Sequence, residues 1–514
     1  MTLRFSLSIS TALLLGLTQL QPAQAKSNAL LAQAVAAEGG ADALHALKTI
    51  SIKSEAKHWE PEQSLVAGGE PRFLGDSTVT TTWDLTKGMA RSEWTRAMKY
   101  PSARTMKYTE VVTPALGAVI DDKGATPMSG IRDATQLREL ERVAPTLLVK
   151  ALEDDKNVSA MGPQKFGKVS MPAVAYTDGG TKFIILFDKA THLPAVIRTR
   201  DDDNVHGDSN YDLVLSDWKS VGGVKIAHAL SYRLDDIEIA NVTYREVTAN
   251  PTIAADAFAV SDAVKTNAKA PPATAPYQWV IRRVFLGLFV DSDGVFVPPG
   301  GSLKMVELAP NVQQVVGGSH NNLIVALKDG LVVFEAPIGE AQSRWVIDAA
   351  KAKYPGKPIK YVVLTHHHMD HTGGTRTYVA EGATVVVAAP TKAHWEAMLR
   401  QDHTVVPDAQ QKAHKPVKVV EVKDTMTISD GTTDIKLHVI DNPHVKGMLI
   451  GHVLQPNIVF VTDLWSPVRD TAKSPGAIAF GEALKKLGIN GATIAGGHGA
   501  SGKQSDLDTV LAQK

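Results

Sequence analysis

The chain contains no cysteine among its 514 residues. It therefore carries no disulfides and offers no thiolate as a metal ligand. A surplus of charge is missing as well: 54 basic residues balance 54 acidic ones, for a formal net charge of +0. Without a basic face for a polyanion, nucleic acid is not an expected partner. Beyond the first 25 residues no apolar run reaches the length that crosses a membrane. Internal repeats are absent, and low-complexity sequence is confined to one short linker. What the chain does have is length enough for two domains and a hydrophobic content of 44%, ample for packed cores.

The first 25 residues read as a secretory signal peptide. One positive charge at Arg4 precedes an apolar stretch over 5–20 with its core at Ala12-Leu-Leu-Leu-Gly-Leu17, and Ala23-Gln-Ala25 fits a small-x-small cleavage site. Lys26 is then the first mature residue and the destination is periplasmic or secreted, with no integral membrane segment after cleavage. A membrane anchor fits less well, because the apolar core is short and no cysteine follows for lipid attachment.

Residues 26–263 form the first expected domain, and it is β-rich. Residues 29–47 read as a helical hairpin or a broken helix around Gly39-Gly40, and 134–152 as a second helical region. Strands are expected over 51–57, 77–84, 211–215 and 239–247, and Thr177-Asp-Gly-Gly180 signals a hairpin ahead of the apolar run 183–187. The pattern is that of an α+β domain, an antiparallel sheet wrapped around a helix. In pattern rather than motif it resembles the curved-sheet domains of periplasmic lipoprotein carriers. The proline- and alanine-rich stretch within 264–276 then reads as a linker to a catalytic domain at 277–514.

The catalytic reading starts from Thr365-His-His-His-Met-Asp-His371. Six consecutive residues, 366–371, offer imidazoles and a carboxylate, and the apolar residues 360–364 before them read as a buried strand. A loop at a strand end suits this spacing, whereas a helix pairs its ligands at i and i+4. The strand's C-terminal edge is where sheets flanked by helices hold ligands, and Gly373-Gly374 lets the chain turn away. Further ligands follow in order. His444 sits in a turn-rich loop, Asp463 ends the apolar strand 457–462, and His498 lies in Gly496-Gly-His-Gly499. His444 is preferred to His452, which falls inside an apolar strand. His367 is expected to point away from the metals, and His394 to lie on a helix surface.

In these seven positions the chain resembles the metallo-β-lactamase superfamily, whose pattern is H-x-H-x-D-H, a loop histidine, a strand-end aspartate and a final loop histidine. The resemblance runs from about residue 301 to the end, with 322–327 and 330–335 as its opening strand pair and 340–354 as the helix before the motif strand. It implies an α/β fold, an αββα sandwich of two mixed sheets with helices outside. It also implies two metals, one on His366, His368 and His444, the other on Asp370, His371 and His498, with Asp463 between them. Zinc is the expected ion; iron and manganese suit the same donors. Asp463 in the bridging position makes the site look more like those of glyoxalase II, ribonuclease Z and the lactonases than like the antibiotic-hydrolysing members.

The expected function is that of an exported dinuclear zinc hydrolase. A metal-bridging hydroxide would cleave an ester, lactone or amide bond of a small molecule, with Asp370 orienting the hydroxide. His320 and Lys446 are candidate substrate contacts. The alternatives are a β-lactamase, a non-hydrolytic iron-dependent member such as a persulfide oxygenase, and a carrier that binds an apolar ligand through the N-terminal domain. No partner protein is legible.

Overall fold

The computed structural model describes residues 11–268, 277–285, 303–318 and 320–513, with the side chains of 11–24 and 277 excepted. The remaining parts of the expected signal peptide and linker lie outside the described residues. Two compact units are present. The first draws on 1–59, 73–201 and 209–291, and the second on 60–72, 202–208 and 292–514. The helix Tyr277–Phe285 groups with the first unit, where Arg96 Nη1 donates to the Val284 carbonyl at 2.6 Å. The units thus follow contacts rather than the single break expected at 264–276.

The first unit is an antiparallel-sheet domain. Its 13-stranded sheet runs from Gly124–Pro127 at one edge, through Thr49–Glu60 and Ile237–Ala249 in the middle, to Val158–Ala160 at the other. The hairpin expected at 177–180 joins Ala173–Asp178 to Thr181–Phe187 through Gly179 and Gly180, whose φ values of 53° and 83° only glycine adopts freely. The long helix Thr11–Glu38 ends at Gly39-Gly40, and a short helix, Ala41–Ala46, follows. Ser27, Leu31, Ala34, Val35 and Glu38 are buried at helical spacing, all beyond the expected cleavage point. Among the described residues no helix is long and apolar enough to cross a membrane.

The second unit is a four-layer α/β sandwich, and its layering follows from strand alternation. One sheet orders Lys304–Ala309, Val312–Val316, Asn322–Leu327, Gly330–Phe334, Ile359–Val363, Thr384–Ala388 and Val419–Val422; the first four pair antiparallel, and parallel pairing begins at Ile359–Val363. The other orders Thr425–Ser429, Asp434–Ile440, Met448–Val453, Ile458–Val461, Thr493–Gly496 and Gly502–Lys503. Successive side chains point to opposite faces. Thus Leu323, Val325, Val332, Phe334, Val363 and Val386 face Leu449, Ile458, Phe460 and Ala495 between the sheets. Their neighbours Ile324, Ala326, Val333, Val362 and Val385 face outward onto Val346, Ile347, Ala350, Tyr378 and Val379, which lie on the helices Glu340–Lys353 and Thr375–Ala380. On the far side Ile450, Val459, Val461 and Ile494 pack on Ala477, Phe480 and Leu484 of the helix Pro475–Leu487. Strands buried on both faces read as continuous apolar runs for this reason.

Candidate metal centre

Strand ends from both sheets converge at one edge of this sandwich. After Ile359–Val363 the Leu364 amide still pairs with the Val386 carbonyl at 3.0 Å, and the chain then leaves the sheet at Thr365. His368 keeps extended backbone and precedes a single turn of helix, Met369–Thr372. The turn separates the directions of His366, His368 and His371. Gly373 and Gly374 serve close packing rather than a left-handed turn: a side chain at 374 would run into Ser343 and the Gly339 carbonyl. Asp463 stands two residues beyond Ile458–Val461, and His498 two beyond Thr493–Gly496. His444 is fixed by an Asn442 side chain that accepts from the amides of His444 and Val445, each at 2.9 Å.

Asp463 is the hub of the centre. Its Oδ2 lies 3.2 Å from His366 Nε2, 2.9 Å from His371 Nε2 and 3.2 Å from His444 Nε2, while Oδ1 lies 2.7 Å from His498 Nε2. His444 Nε2 also faces His368 Nδ1 at 3.0 Å. His366, His368, His444 and Asp463 bring one donor atom each within 4.8 Å of one another; so do His320, His371 and His498, and so do Glu335, His366 and His371. The backbone is strained here: Asp463 and Glu335, the two carboxylates of these clusters, hold φ at 56° and 68°. Non-glycine residues in that region cost about 1–3 kcal/mol each and gather at functional sites.

Burial sets the charge state of the ring. It drives His366 and His320 down to about 3 and His368 well below the usual imidazole range. Burial would also lower His371, but Asp463 and Glu335 outweigh it and hold this imidazole well above its ordinary value. Burial would raise Asp463, yet His371, His366 and His444 keep its carboxyl well below the carboxylate range. The buried Nε2 atoms of His366 and His371 make no hydrogen bond, although each points at Asp463 within 3.2 Å. Neutral His366 and His368 beside one ionised carboxylate match the donor chemistry of a borderline-soft divalent cation.

Outer contacts fix which nitrogen each ring presents. His371 Nδ1 meets Glu335 Oε2 at 2.5 Å, and the other Glu335 oxygen accepts from the Thr365 amide at 2.8 Å. The Ser64 carbonyl accepts from His368 Nε2 at 3.1 Å, leaving Nδ1 to face His444, and from His367 Nε2 at 2.9 Å. Arg72 donates to the His444 carbonyl at 3.0 Å and to that of Gln63. Glu335, Gln63, Ser64 and Arg72 escaped the reading of the sequence. Only Glu335 left a trace there, as a carboxylate closing an apolar strand.

Six of the seven expected ligand positions fall in these clusters. Asp370 is the exception and belongs to none of them: Gln63 Nε2 donates to its Oδ1 at 2.7 Å, and His320 Nε2 lies 3.3 Å from Oδ2. His320, expected to touch substrate, is buried within the second histidine cluster. Lys446 is exposed, and its described contact is a backbone bond to the Leu65 carbonyl. His452 pairs with Asn457 at 2.9 Å on its strand. His394 is half-buried on the helix Lys392–Met398 rather than on its open surface, with its ring 6.4 Å from that of His367. The loop carrying Gly68 lies close by, since a side chain added at Gly68 would come against His394 Nδ1.

Residues 315–497 match the family model described as the metallo-beta-lactamase superfamily. A linear primary-alkylsulfatase of Pseudomonas sp is 29% identical over 120 residues, which is 23% of this chain and 15% of that protein. The chain thus matches only 15% of the length of this curated relative. Among solved structures, a metallo-beta-lactamase from Pontibacter korlensis is 18% identical over 41% of this chain and all of its own, with a TM-score of 0.32. A stereoselective inverting sec-alkylsulfatase from Pseudomonas sp. is 18% identical over 41% of this chain and 40% of its own, also at 0.32.

Proposed function

Residues 315–497 form a metallo-β-lactamase superfamily domain, and from that premise we propose that the protein is a divalent-metal hydrolase of small-molecule esters. The observation that carries the reading is the ring of His366, His368 and His444 around Asp463, with buried imidazole nitrogens directed at one ionised carboxylate. When bound there, zinc or a similar cation supplies Lewis-acid polarisation and an acidified water. The protein's own part is to keep His366 and His368 neutral by burial and to orient them with His444, the Ser64 carbonyl taking Nε2 of His368 so that Nδ1 faces His444. His371, His498 and Asp463 extend the donor set toward a second ion.

Sulfate esters stand beside carboxylic esters and lactones as the substrate class, since the curated relative is named an alkylsulfatase. A panel of alkyl sulfates, aryl esters, lactones and a cephalosporin tests this with the metal-loaded protein, the chelated protein and His366→Ala. One class cleaved in a metal- and His366-dependent way is expected. Hydrolysis that survives both chelation and His366→Ala would sink the proposal, as would no hydrolysis of any class. Export belongs to the same proposal, resting on the signal-like residues 1–25. The N-terminus of protein recovered from the producing cell should then be Lys26, and an intact Met1 would overturn export.

A further inference from the structure

The second unit draws two short segments, 60–72 and 202–208, from the part of the chain expected to form the first domain. Segment 60–72 meets the metal centre at four places. Gln63 Nε2 donates to Asp370 Oδ1 at 2.7 Å, with Oδ2 turned toward the group of His320, His371 and His498. The Ser64 carbonyl takes Nε2 of His368 at 3.1 Å and Nε2 of His367 at 2.9 Å. The Leu65 carbonyl accepts from the Lys446 amide at 2.8 Å. Arg72 bonds the Gln63 carbonyl and, at 3.0 Å, the His444 carbonyl. Segment 202–208 braces the same loops. His206 Nε2 meets Glu62 Oε1 at 2.7 Å, and Asn204 Nδ2 donates to the carbonyl of Ile338, whose own amide bonds the Asp370 carbonyl at 3.1 Å. Glu62, Gln63 and Ser64 are at most 3% exposed, so their polar groups find partners inside the protein rather than in water.

We propose that segment 60–72 is an integral part of the metal centre, with Gln63 and Arg72 as positioning residues. Gln63 orients Asp370 beside the ion on His371 and His498, and Arg72 holds His444 for the ion on His366 and His368. The inference rests on the metal-dependent reading above. Hydrogen-bond partners behind metal-holding side chains fix their orientation, and losing one costs about 10- to 100-fold in metal affinity. A side-chain NH₂ group only donates, so Gln63 holds one carboxylate oxygen of Asp370 and fixes the direction of the other. The Arg72 guanidinium is a rigid planar fork. It spans the residue that holds Asp370 and the histidine of the other donor group, so the two ion positions share one support. Gln63 and Arg72 reach their partners over 307 and 372 positions. The stretch 277–514, expected as the catalytic domain, therefore lacks part of its own metal centre.

The test titrates the full-length apo-protein with Co²⁺, reading stoichiometry by calorimetry and the visible absorption of the bound ions. Wild type should bind two ions, and His366→Ala and His498→Ala mark which step belongs to which. Gln63→Met should weaken the ion on the His498 side about 10- to 100-fold and leave the other unchanged. Arg72→Ala should weaken the ion on the His366 side by a similar factor, and the other less, through Gln63. Leu65→Ala, an exposed position on the same segment, should change neither. Circular dichroism and thermal melting establish that each variant is folded; if Gln63→Met is not, Gln63→Ala takes its place with the same expectation. Wild-type affinity for both ions in the Gln63 and Arg72 variants overturns the proposal, as does equal weakening of both ions in the Gln63 variant. A wild type that binds a single ion also overturns it while leaving the hydrolase reading intact. No binding at all would overturn that reading as well.

Discussion

Glu335 offers the sharpest test of how the centre is held. It is fully buried, and its two oxygens bond the Thr365 amide and His371 Nδ1. In Glu335→Gln one oxygen remains for one of these donors, and an NH₂ group faces the other. If the NH₂ faces His371, the ring's proton must move to Nε2, the nitrogen 2.9 Å from Asp463. A protonated Nε2 cannot ligate, so affinity for the ion on His371 should fall about 10- to 100-fold, or roughly 1.4–2.8 kcal/mol. If the NH₂ faces Thr365 instead, a buried amide is left opposite a donor at a cost of about 1–3 kcal/mol in stability. Glu335→Ala removes both acceptors and should lose about 2–6 kcal/mol of stability by the same figures. Metal titration and chemical denaturation of the two variants measure these effects separately. Wild-type metal affinity together with wild-type stability in Glu335→Gln would refute the reasoning.

Two further predictions concern the units separately. A methyl group at Gly451 would collide with the Phe334 ring between the two sheets of the second unit, so Gly451→Ala should cost about 1–3 kcal/mol; Phe334→Leu should recover part of it in the double variant, and strictly additive losses would count against the packing account. In the first unit, burial pushes the Asp133 carboxyl up to about 6. The folded state then holds this proton more tightly than the unfolded chain, so its stabilisation is complete below about pH 4 and lost as pH rises through 6. Asp133→Asn should flatten that part of a stability–pH curve, and an unchanged slope would refute the assignment.

The candidate metal-site residues were legible because strand alternation and strand ends leave a linear record. An apolar run closing in His-x-His-x-Asp-His, and two more closing in Asp463 and His498, place donors at one sheet edge without any knowledge of pairing. The hairpin at Gly179-Gly180 and the helix break at Gly39-Gly40 were legible for a similar reason: left-handed backbone demands particular residues. Contacts across long separations leave no such record. Gln63 reaches Asp370 over 307 positions, and nothing in the sequence around either residue announces the other. Ser64 acts through a backbone carbonyl, which any residue type supplies. His320 and Asp370 were both singled out, but the bonds on Asp370 become visible only in three dimensions.

Anomalous diffraction at the zinc edge, from crystals of the full-length protein grown with zinc, tests the central claim most directly. The account predicts one peak among His366, His368, His444 and Asp463, and a second beside His371, His498 and Asp463. No peak at either place, or metal bound only elsewhere on the chain, would contradict it.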